Sequence, residues 1–189
     1  MRYFLLAALL GGMVMVGACS SRQAGVAPMT EASSHRLAKI GDQEPVVVSL
    51  ARGETVAPDL VTRTLGNFGS LQLVEMSRGV LEQLPAASEL TVWGTSGELS
   101  KMDSQLRFKL LQSLAASGWE SQTFHAIATF ETPTANLERD LNDGGLTLGS
   151  LQGGIATLSG APDALLNLLS RTDLRSLDLP NLLQPSTGR

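Results

Sequence analysis

With 189 residues, 43% of them hydrophobic and only 4% aromatic, the chain is long enough for one domain with a real core of small and aliphatic side chains, and too short for two comfortable ones. Fourteen basic against eighteen acidic residues leave a formal charge of −4, which argues against nucleic acid as a partner and against charge-driven docking on an anionic surface. A single cysteine excludes an internal disulfide, so stability has to come from packing.

The chain opens with Arg2 and an apolar run of fourteen residues, Tyr3 to Val16, closed by Gly17-Ala18-Cys19. As a helix that run reaches about 21 Å, short of the roughly 30 Å hydrocarbon core, so it reads as the apolar region of a signal and not as a permanent span. Small Gly17 and Ala18 leave the backbone beside Cys19 open to a peptidase. The series Val16-Gly17-Ala18-Cys19 resembles the lipobox of bacterial lipoproteins. That resemblance implies that Val16, Gly17 and Ala18 are signal-peptidase recognition residues, that residues 1–18 are removed, and that the Cys19 thiol carries diacylglycerol with an acyl chain such as palmitate on its new amino group. An ordinary secretory signal cut after Ala18 would instead leave an unpaired thiol in an oxidising compartment. Ser20 stands where an Asp would mark retention at the inner membrane, so the family's sorting rule favours the periplasmic face of the outer membrane.

Residues 19–44 are expected to be the lipidated cysteine and a flexible tether, since Ser, Gly, Ala, Gln and charged residues follow one another there without a period. Such a chain spans roughly 25–30 Å. His35, near Arg36 and Lys39, reads as a solvated tether histidine and not as a metal ligand or pH sensor. The folded domain is expected over residues 45–172, with a C-terminal tail over 173–189.

Pro45 opens Val46-Val47-Val48-Ser49-Leu50, a β-branched strand. Pro58-Asp59 predicts a short helix ended by Gly66, and Gly66-Asn67-Phe68-Gly69 a turn that lacks the lysine of a phosphate loop. From Ser70 to Leu84 the spacing of Leu73, Met76, Val80 and Leu84 predicts a helix with Gly79 inside it. Leu90 to Trp93 reads as a strand. In the turn that follows, Ser96 lacks the G-x-S-x-G frame of a nucleophile elbow. Met102, Leu106, Leu110 and Leu114 stripe a helix over 101–117, capped by Ser100 and stopped by Gly118.

After Trp119-Glu120, alternation puts Phe124, Ala126, Ala128 and Phe130 on one face of a strand and His125, Ile127 and Thr129 on the other. Thr132-Pro133 predicts a helix through Leu141. Asp140, Asn142, Asp143 and Gly144 supply only part of a calcium loop and read as surface acids. Residues 146–151 and 155–159 form a candidate hairpin around Gly153-Gly154, and Pro162-Asp163 starts a last helix.

No repeat of fixed period is visible in the sequence. The order of elements predicts an α+β domain: a small mixed or antiparallel sheet of four or five strands with helices on one face, for which a ferredoxin-like arrangement is one topology. The series of strand, amphipathic helix, Gly118-Trp119-Glu120, long strand, hairpin and terminal helix resembles small uncharacterised bacterial lipoprotein domains, a resemblance that implies no mechanism.

No catalytic residue, metal ligand or cofactor is expected. The leading functional expectation is a non-catalytic interaction or scaffold module, held at the membrane by Cys19 and meeting an envelope protein partner through an exposed apolar patch or sheet edge. A small-ligand carrier with a pocket lined by Trp93, Trp119, Phe124 and Phe130 is the alternative. An envelope hydrolase using Ser96 or His125 is a third reading.

Overall fold

The computed structural model describes residues 29–51, 58–81, 84, 90–116 and 119–180. The expected signal, the lipobox residues Val16, Gly17 and Ala18, and Cys19 lie outside them. The described chain begins by folding, not by wandering. Glu31–Ala38 is a helix, α1, whose N-cap Thr30 accepts a hydrogen bond from the Ser33 backbone N–H at 3.2 Å. The expected tether is therefore folded structure from Met29 onward, because α1 carries two buried polar side chains, Ser33 and Arg36, that find partners inside the protein.

Strands β1 (Pro45–Ala51), β2 (Arg63–Phe68), β3 (Leu71–Ser77) and β4 (Thr91–Thr95) form one antiparallel sheet in the order β2-β3-β1-β4. A short helix α2 (Arg78–Leu81) follows β3, and α3 (Ser96–Leu99) and α4 (Ser104–Ala115) follow β4. Strands β5 (Phe124–Phe130), β6 (Leu146–Gln152), β7 (Ile155–Gly160) and β8 (Leu174–Asp178) form a second sheet in the order β6-β7-β5-β8, with α5 (Leu137–Asp143) and α6 (Pro162–Leu168) between its strands.

The α+β class holds, but the described residues form two four-stranded antiparallel sheets where one was expected. Each has the strand order of a ferredoxin-like unit, fourth-first-third-second. The sequence hides this duplication except at one place. Thr64-Leu65-Gly66 and Thr147-Leu148-Gly149 occupy the same positions of β2 and β6, and each marks a break in register against the next strand.

The largest sequence error falls on residues 70–84. Leu71–Ser77 is a strand, and only Arg78–Leu81 is helical. The cause is burial on both faces: Leu73 points into one core while Val74 and Met76 point into another, so the strand loses its alternation and its apolar residues fall by chance near helical spacing. The segment 63–68, expected to be the end of a helix and a turn, is the edge strand β2, held by its pairing with β3. Asp103, not Ser100, caps α4, accepting from the backbone N–H groups of Gln105 and Leu106. Helix α5 starts at Leu137, later than Thr132-Pro133 predicted. The expected tail holds β8, whose Leu174 and Leu177 are buried.

The two units share one core. Val47, Leu73 and Trp93 of the first sheet meet Leu106, Leu110 and Leu111 of α4, Leu165 and Leu166 of α6, and Ala126, Ala128 and Phe130 of β5. On its other face the first sheet packs Val46, Val48, Leu50, Val74 and Val92 against Leu37 of α1, Ile40 just after it and Leu81 of α2. Among the described residues, strands β1, β3 and β4 of the first sheet are thus buried on both faces, and the second sheet on one.

Candidate functional site

Three surfaces follow from this asymmetry. The outer face of the second sheet carries His125, Ile127 and Thr129 of β5 opposite Ser159, Thr157 and Ile155 of β7, flanked by Thr147 and Ser150 of β6. Its side chains are mostly small hydroxyls, and Ser150 and Thr157 join their hydroxyls at 2.9 Å across the two strands. Ile155 is 52% exposed. The expectation for β5 holds here: Ala126, Ala128 and Phe130 face the core, and His125 faces outward.

Sheet edges are the second surface, because unpaired backbone groups invite another strand. The outer edge of β4 is occupied. Ser33 Oγ of α1 accepts from the Val92 N–H at 3.1 Å, Arg36 Nε donates to the Val92 carbonyl at 2.6 Å, and Met29 bridges to Leu90. The outer edge of β8 is occupied as well: Asp103 N–H donates to Leu177 O at 2.9 Å, and Leu177 N–H donates to Lys101 O at 2.8 Å. β2 begins with a charge, Arg63, bonded to the carboxylate of the buried Glu75 at 2.8 Å. β6, Leu146-Thr147-Leu148-Gly149-Ser150-Leu151-Gln152, has neither charge nor proline, and among the described residues only β7 pairs with it. It ends in a tip with Gly153 and Gly154 at φ +56° and +83°, where Leu151 is 42% exposed. Glycine is required at the second tip position: a Cβ on Gly154 would come within 2.7 Å of the Phe130 carbonyl oxygen.

The third surface is a cleft of about 390 Å³ between α1 and the α5–α6 pair. His35 of α1 and Lys39, the C-cap of that helix, stand on one side, and Asp140 and Asp143 of α5 on the other. Buried Leu141, Leu146 and Leu168 form its apolar floor. At its end Arg171 is fixed by Asp173, Nε to Oδ1 and Nη2 to Oδ2 both at 2.8 Å, with Asp140 at 3.7 Å and the Phe130 ring centroid 5.9 Å away. The hydrogen bond to Asp173 holds the guanidinium more firmly protonated than usual. In return, the bond from Arg171 holds the Asp173 carboxyl below its ordinary value of 3.8, against the opposing effect of burial. A carboxyl depressed in the folded state adds stability that is present above its unfolded pKa and lost as pH falls through the folded one. Asp173→Asn is therefore expected to lower stability at neutral pH and to flatten the loss of stability below about pH 4, as urea denaturation at several pH values would show.

The structure separates the remaining sequence candidates. Ser96 donates to the Glu75 carboxylate at 2.9 Å, a bond that orders the start of α3; His125 is on the outer sheet face, so the two do not form a nucleophile and base. The aromatic residues of the alternative, ligand-carrier reading are core: Trp93 is 0%, Phe130 3% and Trp119 8% exposed, Phe124 packs against the same cluster, and the two indoles stack tilted at 6.1 Å. Asp140 and Asp143 are exposed, and among the described residues no group of three or more His, Cys, Asp or Glu side chains converges on a metal site. Among the described residues no helix is long and apolar enough to cross a membrane. Sequence reasoning missed the cleft because its walls come from a segment read as tether and from helices more than a hundred residues away in the chain. No family model, curated protein or solved structure matches the chain.

Proposed function

We propose that this chain is a non-catalytic, lipid-anchored interaction module of the bacterial cell envelope, held by Cys19 on the periplasmic face of the outer membrane and docking a protein partner on its second sheet. The observation that carries the reading is the contrast between two units of the same strand order: strands β1, β3 and β4 of the first sheet are covered on both faces, while the second sheet leaves one face and the uncharged edge β6 uncovered by the described chain. Main-chain hydrogen bonds along such an edge supply affinity, and the side chains beside it supply selection, when an extended segment adds as a fifth strand. Several acyl chains, at about 0.8 kcal/mol per buried methylene, make membrane release effectively irreversible. Confinement to one surface then makes a weak strand contact productive.

In-cell crosslinking followed by mass spectrometry tests this, with wild type compared at matched level with Cys19→Ala and with Leu151→Lys. Leu151 is exposed at the end of β6, so the lysine places a charge beside the edge without disturbing the core. A discrete partner captured by wild type, reduced in both variants, is the expected result. Capture unchanged by Cys19→Ala sinks the anchor-dependent part, and capture unchanged by Leu151→Lys sinks the edge.

A further inference from the structure

We propose that the cleft between α1 and the α5–α6 pair binds a compact zwitterion of amino-acid to dipeptide size, its carboxylate at Lys39 and His35 and its ammonium at Asp143. This site is separate from the sheet edge and stands whether or not that edge docks a partner. His35 of α1 and Lys39, its C-cap residue in αR conformation, are four residues apart and so present their side chains on the same side of the helix end. Both line the cleft, both are exposed, and neither side chain makes a hydrogen bond or ion pair to a described residue. Across the gap Asp143 is likewise exposed, with no such bond to a described residue.

Arg171 and Asp140 are already engaged with each other, and Arg171 with Asp173, so they shape the end of the cleft and leave Lys39 and Asp143 as its unmatched charges. These two line the same cleft without forming an ion pair. A ligand with opposite charges at its two ends satisfies both. A simple anion leaves Asp143 repelling it, and a simple cation leaves Lys39 doing so. The volume of about 390 Å³ is at the small end of ligand pockets and matches a compact ligand, and the leucine floor accepts a short apolar side chain between the charges.

The test uses the full chain in detergent micelles and calorimetric titration with three probes: the dipeptide glycyl-leucine, its N-acetylated form and its C-terminal amide. Saturable binding of the unblocked dipeptide is expected, with each blocked form weaker by about tenfold or more, the loss of one charged contact. Lys39→Gln is expected to abolish discrimination against the amide, and Asp143→Asn discrimination against the acetylated form. Both residues are exposed, and an unchanged thermal unfolding curve would show that the variants fold. Absence of saturable binding by glycyl-leucine overturns the proposal. So does equal affinity for the three probes, or discrimination that survives both substitutions.

Discussion

Asp163→Ala is expected to destabilise the protein by about 3–5 kcal/mol, because it strands a buried guanidinium. Arg36 is 5% exposed, and its Nη2 meets Asp163 Oδ1 at 2.8 Å. Burial lowers its pKa from the ordinary arginine value, and the charge and hydrogen bond of Asp163 oppose that shift. The same carboxylate accepts from the Trp119 indole N–H at 3.2 Å, so its loss frees two buried donors at once. At roughly 2–4 °C per kcal/mol for a chain of this size, the melting temperature should fall by about 6–20 °C. Replacing the pair together, Arg36→Met with Asp163→Leu, is expected to cost less than the two single changes combined, since no charge is then left unpaired. Recovery remains partial, because the Val92 carbonyl also loses its Arg36 donor. Urea denaturation of all four proteins checks this; additive single effects would show that the pair does not act as a unit.

Trp93→Ala should cost a similar amount, about 3–5 kcal/mol for a fully buried aromatic. Trp93 is 0% exposed at the point where the first sheet meets the second unit, and its indole N–H donates to Ser49 Oγ at 3.0 Å. Truncation opens a cavity between the units and leaves the buried Ser49 hydroxyl without that partner. Trp93→Phe retains most of the volume and loses the hydrogen bond, so about 1–2 kcal/mol is expected from it. A Trp93→Ala protein in which the second unit unfolds no earlier than wild type by hydrogen exchange would contradict the shared core.

Legibility followed solvent. In the second unit, where one sheet face is wet, β5 alternates cleanly, the hairpin of β6 and β7 turns on Gly153-Gly154, and Pro162 opens α6; all three were readable from local pattern. In the first unit, β3 is dry on both faces and was mistaken for a helix. The stretch around His35 was misread for another reason. Arg36 and Ser33 look like solvated tether residues until their partners, Val92 more than fifty residues away and Asp163 and Asn167 more than a hundred, are brought to them.

By itself the sequence determined the α+β class, the helix over most of 104–115, the alternation of β5 and the acidic balance, because each is written in spacing, local caps or composition. Tertiary structure decided the rest: that two four-stranded units of one strand order share one core, which sheet face and edge the described chain leaves open, and that α1 walls a charged cleft. Those depend on contacts between residues far apart in the chain, for which local periodicity has no signal.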